Sequence, residues 1–259
     1  MQPHLKKCFE GIAKLEFDDE LKIHGMYSVE GELVPYTRVI DPIASKGQVE
    51  DWLVQVEEVM LKSVKQVVES SYQDYMKRSR DKWVTQWQGQ AVLAVSMMFW
   101  TMQCEDAMKK SGLQGLVQYY DRLNTQLNET VAVVRTDINK LQRATLEALI
   151  VLDVHAKDCI KSDLITREIS DPNDFGWLSQ LRYYWEDHNV WTFRQLFDES
   201  PVDDKIPTWL QGEILSAIFQ GYIFLLCHLW LIPLRHEVVS RCRRKQGHSI
   251  PVCSKFPRA

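Results

Sequence analysis

The residues best suited to proton-transfer chemistry lie in an apolar segment near the middle of the chain, residues 150–158. His155 could share a proton with either of two acids, Asp153 or Asp158. Side chains three residues apart share a helical face, so Asp158 is the better-placed partner and Asp153 lies around the side. Because no nucleophile or metal ligand is recognisable beside it, we interpret His155 as a structural histidine at a helix edge.

Motifs that bind phosphates or activate water are missing from the printed sequence. It contains no phosphate loop ending in Gly-Lys-Ser or Gly-Lys-Thr, and no serine-hydrolase, zinc-protease or dinucleotide-binding motif. His236 and Glu237 begin like a zinc-protease motif, but Ser240 stands where the second histidine ligand belongs. We therefore predict that the chain is not an enzyme and has no catalytic residues, cofactor site or metal site of its own.

Composition excludes several other classes of protein. Of the 259 residues, 45% are hydrophobic and 25% charged, unlike collagen-like or wholly disordered chains. The 31 basic residues are outnumbered by 35 acidic ones, so no nucleic-acid partner is expected. Charge precedes any apolar run at the N-terminus, so we expect no secretory signal. The scattered cysteines are interpreted as reduced, mostly packed thiols of a cytosolic protein: Cys8, Cys104, Cys159, Cys227, Cys242 and Cys253.

The hydrophobic period changes within the first forty residues. A helix is predicted to end near Leu15, because one helical face collects Leu5, Phe9, Ile12 and Ala13. Residues 23–36 instead carry short apolar runs around Glu30-Gly31, which predicts a β-hairpin with a two-residue turn. Pro35 must then lie on an edge strand.

Two amphipathic helices follow. The strongest periodicity predicts a helix over residues 45–77, opened by a capping box of Ser45 and Gln48. A second apolar helix is predicted over residues 90–110. Three tryptophans at or near helix faces are expected to be buried anchors, with an interaction surface as the alternative: Trp83, Trp87 and Trp100.

Further helices are predicted in the second half. Ser111 and Gln114 repeat the capping pattern, and the apolar stripe behind them continues to Leu141. The steps fit a coiled coil imperfectly, and residues 146–154 are apolar on every side, so packing inside a helical domain is favoured over a coiled coil. Another helix is predicted to start with Pro172 at its first position.

The patterning deteriorates after about residue 187. Residues 214–234 contain no Asp, Glu, Lys or Arg and are long enough to span a bilayer. Gln220, His228 and Pro233 are unfavourable near a bilayer centre, and the basic flank would place the C-terminus in the cytoplasm, against the cysteine pattern. A membrane span is therefore kept as an alternative. The basic cluster 241–245 is interpreted as a solvated tail, with an import or anionic-surface signal as its alternative.

Four stretches carry a family likeness: residues 4–17 (HLKKCFEGIAKLEF), 49–60 (VEDWLVQVEEVM), 149–158 (LIVLDVHAKD) and 174–186 (DFGWLSQLRYYWE). In this order and spacing they resemble the dynein heavy chain, and more closely its axonemal than its cytoplasmic members. The likeness spans about residues 1–187. It is to the C-terminal half of the linker, leading to the start of the first AAA+ module.

The resemblance implies a mechanical role. In that family the linker is a mostly helical lever over the AAA+ ring, and ATP turnover in the ring bends and straightens it. The junction between linker and ring would comprise Leu181, Arg182, Tyr183, Tyr184 and Trp185. From about His188 nothing of the family is recognised and no phosphate loop follows, so ATP and magnesium are assigned to the parent motor alone. An alternative transcript end, or an intron read as coding sequence, is our hypothesis for this change.

The sequence thus predicts a mainly α chain: an elongated multi-helix rod with one small β-hairpin and an irregular C-terminal tail. Residues 1–187 would be a partial linker-like region, and residues 188–259 a divergent tail with a basic, disordered end. We expect a structural segment of a microtubule-based ciliary motor, located in the cytoplasm, cytoskeleton and ciliary axoneme. Its partners would be other dynein subunits and the AAA+ ring, with microtubules contacted only indirectly. Two alternatives stay open: a membrane-anchored helical protein, and a nucleotide-dependent enzyme with an unrecognised site.

Overall fold

The computed structural model describes residues 5–9, 11–45, 48–194 and 204–206. It confirms a mainly α chain. The helices are α1 (Leu5–Cys8), α2 (Val49–Tyr75), α3 (Arg80–Trp83), α4 (Gly89–Val134), α5 (Lys140–Asp158), a π-helical segment (Cys159–Ile165) and α6 (Phe175–Leu178). The strands are β1 (Lys14–Phe17), β2 (Ile23–Tyr27), β3 (Leu33–Ile40), β4 (Arg182–Glu186), β5 (Asn189–Arg194) and β6 (Asp204–Ile206). The strands form two antiparallel sheets, β1-β2-β3 and β4-β5-β6, where the sequence predicted one hairpin.

The predicted first helix is wrong in its second half. It ends at Cys8, and residues 14–17 instead form strand β1, which pairs with β2. Leu15 is buried while its neighbour Lys14 is exposed, so this stretch follows the two-residue period of a strand. Leu5 and Ile12 are both buried, as the predicted helix would also have required. They pack against the sheet from different places, Leu5 from the short helix α1 and Ile12 from the turn that follows it.

The predicted hairpin is confirmed as β2 and β3, and its turn is longer than two residues. Tyr27 is opposite Leu33, and the Gly31 amide donates to the Ser28 carbonyl over 3.1 Å. Gly31 has the expected positive φ, 90°. Pro35 lies on β3, an outer strand of this sheet, as its missing N–H requires.

Helix α2 packs in two places along its length. Its first half contacts the β1–β3 sheet in one hydrophobic cluster, through Trp52, Val56 and Val59. Its second half enters a larger cluster built from α4, α5 and the π-helical segment, where Val68 is buried. The helix begins at Val49, and the amide of Gln48 donates to the carbonyl of Ser45, so the predicted Ser45–Gln48 capping box is wrong.

A carboxylate also joins the β1–β3 sheet to the helices. Glu32, in the β2–β3 turn, accepts a 3.0 Å hydrogen bond from the backbone amide of Gly89, the first residue of α4. The preceding residue, Gln88, provides no side-chain cap, so Glu32 supplies an acceptor to a helix start that lacks a local one. Burial raises the pKa of Glu32, and the Gly89 amide partly offsets this effect.

Helix α4 folds back on itself at Gly112. The φ and ψ angles of Gly112 are 54° and −135°, and the Tyr119 hydroxyl donates to the Trp100 carbonyl over 3.4 Å. In a straight helix these two residues would lie about 28 Å apart. The two arms, residues 89–111 and 113–134, are therefore antiparallel. The break falls beside the predicted helix start at Ser111. Gly115 permits the two arms to approach each other closely, because a Cβ at this position would lie 2.2 Å from the carbonyl oxygen of Ala107.

The predicted stripe to Leu141 is interrupted. The second arm of α4 ends at Val134, and α5 begins after a capping box in which Asn139 and Gln142 bond each other's backbone amides. Within the segment expected to be apolar on every side, the buried positions lie on one face of α5: Leu146, Leu149 and Leu152. Helical packing, rather than a coiled coil, accounts for these contacts because α5 packs into the cluster formed by the arms of α4.

The chain then forms a hairpin that the sequence did not predict. Asp174 caps the four-residue helix α6 by accepting from the Gly176 amide, so the helix starts after Pro172 rather than at it. Strands β4 and β5 follow, joined by Asp187 and His188, both with positive φ. The predicted domain boundary at 187/188 falls in this turn.

Several sequence features lie outside the described residues: the apolar run 214–234, the cluster 241–245, the motif-like His236-Glu237, and the last three cysteines. Within the described ranges, no helix combines the length and apolarity that crossing a bilayer requires.

Replacing Gly112 with alanine should destabilise the fold. The cost is conformational, since a Cβ there would meet only Ser170, at 3.7 Å, and we expect a loss of about 1–3 kcal/mol in the free energy of unfolding. Denaturant titration of the chain measures it. Gly11→Ala is the control, because Gly11 has no positive φ and open space around it. Equal stability of the two variants would contradict the strained turn.

Candidate functional site

The predicted junction residues lie on the docked strand β4 or just before it. Leu181 precedes the strand, which contains Arg182, Tyr183, Tyr184 and Trp185. Arg182 and Tyr183 are buried, at 3% and 4% exposure, and the other three are half-buried. The strand therefore lies against the helices, and its side chains are held by specific contacts.

Helix α6 and its following turn hold the base of the hairpin. The Arg182 guanidinium donates to the Leu178 carbonyl over 3.3 Å and to the Tyr184 hydroxyl over 3.2 Å. From strand β5, Arg194 Nε donates to the Ser179 carbonyl over 2.8 Å. Two arginines thus satisfy carbonyls at the end of α6, which fixes the direction in which the strands leave the helix.

Glu105, on the first arm of α4, makes polar contacts with strand β4, helix α6 and Lys109. The Tyr184 hydroxyl and, at 3.4 Å, the Trp177 indole both donate to Glu105 Oε1. Lys109 pairs with Oε2 over 3.2 Å. Burial raises the pKa of Tyr184, and the hydrogen bond to Glu105 raises it further, so this hydroxyl keeps its proton and remains a donor.

The backbone of the strand is also held by α4. The Tyr183 amide donates to Thr101 Oγ1 over 3.0 Å, and Thr101 in turn donates to the Met97 carbonyl. Thr101 is fully buried, so this hydroxyl satisfies a strand amide in a place that water does not reach.

Five aromatic rings, which we call the aromatic column, connect strand β4 to the C-terminal end of α2. Trp185 stacks on Tyr72 with centroids 5.8 Å apart, and Tyr72 stacks on Phe99 at 5.0 Å. Phe99 stacks on Tyr75 at 4.0 Å, and Tyr75 meets Trp83 edge-on at 4.8 Å. Such pairs stabilise by about 0.5–1.5 kcal/mol each beyond the area that they bury. The column therefore couples β4, α2, the first arm of α4 and α3.

The tip of the hairpin makes a separate contact with α2. His188 Nδ1 lies 2.9 Å from Glu69 Oε1, on a histidine that is mostly exposed. The hairpin thus touches α2 at Tyr72 through its strand and at Glu69 through its turn, which resists rotation about either contact.

The candidate proton-transfer pair is not assembled. Asp153 accepts from Arg80 Nη2 over 2.8 Å, and both side chains are largely buried, whereas His155 is exposed on α5. Asp158, the better-placed acid of the two, has its Oδ1 3.8 Å from Lys157 Nζ, and within the described ranges no hydrogen bond joins His155 to either acid. Arg80 also donates to Thr130 Oγ1 over 3.1 Å, so it links α3 to the second arm of α4 and to α5. Among the described residues, no group of three His, Cys, Asp or Glu side chains could hold a metal ion.

The prediction of buried anchors is confirmed for two of the three tryptophans, and the prediction of packed thiols for two of the three cysteines that the structure describes, because Cys8 is exposed. Trp83 and Trp100 are buried anchors, and the half-buried Trp87 donates to Asp74 over 2.9 Å. Cys104 and Cys159 are buried free thiols, and burial raises the pKa of Cys159 to about 12. Such thiols are protonated and unreactive at neutral pH.

Sequence reasoning missed the contacts of Glu105 with Trp177 and Tyr184, and it missed the Arg80–Asp153 pair. The contacts of Glu105 with Trp177 and Tyr184 span 72 and 79 residues, and the ion pair spans 73. The only local signal was a charged residue beside buried positions, which is common on helices.

Comparisons with known proteins point to one family. Residues 1–71 match the family described as dynein heavy chain, N-terminal region 2. The chain is 49% identical over 190 residues to human dynein axonemal heavy chain 12, which covers 73% of this chain and 6% of that protein. It is 47% identical over 190 residues to mouse dynein axonemal heavy chain 3, covering 73% and 5%. It is 43% identical over 191 residues to human dynein axonemal heavy chain 1, covering 74% and 4%. The chain thus spans only a small fraction of the length of these relatives.

Removing the Tyr184 hydroxyl should loosen the docked hairpin. Tyr184→Phe keeps the ring and loses both the bond to Glu105 and the one from Arg182, and hydrogen bonds to charged groups contribute about 1.5–3 kcal/mol. We expect at least tenfold faster hydrogen exchange of amides in β4 and β5. Tyr27→Phe, which breaks the Tyr27–Glu16 bond of the other sheet, is the matched control and should leave these amides unchanged. Unchanged exchange in Tyr184→Phe would show that Glu105 does not hold the strand.

Proposed function

We propose that the chain acts as a mechanical linker segment of a microtubule-based ciliary motor, because it belongs to the dynein heavy-chain family, with axonemal members as its relatives. In this proposal residues 1–187 transmit displacement, and the residues Leu181 to Trp185 form the connection to the first AAA+ module. ATP hydrolysis and microtubule binding belong to other parts of a complete heavy chain.

The packing of the junction strand is the observation that supports this proposal best. A part that transmits force needs continuous contact between its helices and the point where force enters. Here β4 is joined to α4 by Glu105 and Thr101, and to α2 and α3 by the aromatic column. Side chains in such close contact cannot be displaced singly without breaking interactions of their neighbours.

The proposed partners follow from the same reasoning. We propose that the chain associates with other dynein subunits and with the AAA+ ring of a heavy chain, and that it meets microtubules only through them. Its location would accordingly be the cytoplasm, the cytoskeleton and the axoneme of a cilium.

Breaking the aromatic column should uncouple movement from ATP hydrolysis. In an axonemal heavy chain that carries this segment, Trp185→Ala removes the stack on Tyr72, and the lost stacking alone should weaken docking of β4 by about 2- to 13-fold, the equivalent of about 0.5–1.5 kcal/mol. We expect slower microtubule gliding at unchanged basal ATPase activity. Trp185→Phe retains an aromatic ring and should restore most of the gliding velocity. Normal gliding in the alanine variant would reject a coupling role for the strand.

The chain should have no nucleotide site of its own. Equilibrium dialysis of the purified 259-residue chain with labelled ATP and magnesium tests this, because a nucleotide-dependent enzyme would bind at millimolar concentration. We expect no saturable binding. Saturable binding that unlabelled ATP displaces would favour the enzyme alternative over a mechanical segment.

A further inference from the structure

A small cavity lies where the helices of the bundle meet. The space inside it that the centre of a water molecule can occupy has a volume of about 20 Å³. Its wall is formed by α2, α3, both arms of α4 and α5, with Arg80, Ser96, Trp100 and Asp153 among the lining residues. It is separate from the junction contacts around Glu105.

Four polar atoms without a protein partner belong to these four residues. Within the described part of the chain, Arg80 Nε, Ser96 Oγ, Trp100 Nε1 and Asp153 Oδ2 are buried and make no hydrogen bond. Ser96 and Trp100 are only 8% and 5% exposed. Leaving such an atom unsatisfied costs about 1–3 kcal/mol, so four such atoms on residues that line one cavity point to a common partner.

The chemistry of the four atoms selects that partner. Arg80 Nε and Trp100 Nε1 can only donate, Asp153 Oδ2 accepts, and the Ser96 hydroxyl can accept. A metal ion is excluded by the two N–H donors, and an anion is disfavoured by the carboxylate. A water molecule accepts two hydrogen bonds and donates two, and the volume suits one such molecule.

We propose that this cavity binds one structural water molecule, which bridges the Arg80–Asp153 ion pair to Ser96 and Trp100 on the first arm of α4. Arg80 already contacts Thr130 and Asp153. The water extends this network to the first arm of α4, which the hydrogen bonds of the ion pair do not reach directly, so that α3, α5 and both arms of α4 share a single polar network.

The Ser96→Ala variant tests the proposal, because the change in melting temperature should differ in sign between a cavity that binds water and a dry one. If the water is bound, Ser96→Ala deletes one of its partners and should lower the melting temperature of the chain by about 2–4 °C. If the cavity is dry, the same change removes an unsatisfied buried hydroxyl and should leave the melting temperature unchanged or raise it.

Ser71→Ala is the matched control. Ser71 is also a buried helical serine whose hydroxyl has no partner among the described residues, and it does not line the cavity. We expect the melting temperature of the Ser71→Ala variant to equal or exceed that of the unchanged chain. A crystal structure of the chain should show an ordered water within hydrogen-bond distance of at least three of the four atoms. A dry cavity, or a Ser96→Ala variant that behaves like Ser71→Ala, would overturn the proposal.

Discussion

One helix, α2, belongs to both hydrophobic clusters, and the rest of the structure depends on it. Its first half covers the β1–β3 sheet, and its second half enters the helical bundle and supports the β4–β5 hairpin. Since the backbone of an α-helix is bonded along its whole length, the two packing units cannot rotate independently without bending it. The bond from the Gly89 amide to Glu32 makes a second connection between the same units.

Local patterns in the sequence predicted the elements whose stability is local. The apolar period gave α2, and the Glu30-Gly31 signal gave the β2–β3 hairpin. The boundary near Ser111 was found because a capping pattern lay beside Gly112. Predictions failed where a segment was too short to show a period, as at β1, or where the turn contained neither glycine nor asparagine. Asp187 and His188 form such a turn, with both residues in left-handed conformation.

The candidate site was predicted only as a stretch of chain. The resemblance to a known family placed the junction at Leu181 to Trp185, but nothing in the sequence indicated that this stretch is a strand or that Glu105 and Thr101 hold it. Those contacts join residues far apart in the chain, and a single sequence contains no record of which distant side chains meet. The aromatic column was missed for the same reason, because tryptophans and tyrosines on helices have many possible neighbours.

The helical hairpin at Gly112 also favours one order of assembly. The Tyr119–Trp100 contact closes a separation of 19 residues, whereas the Tyr183–Thr101 contact closes 82. The longer closure costs about 1 kcal/mol more chain entropy, and it needs Thr101 to be in place already. The two arms of α4 can therefore form from nearby residues, and the β4–β5 hairpin docks on a surface that exists only after they have folded. During synthesis on the ribosome, strand β4 emerges after the helices on which it docks, when its docking surface can already be complete.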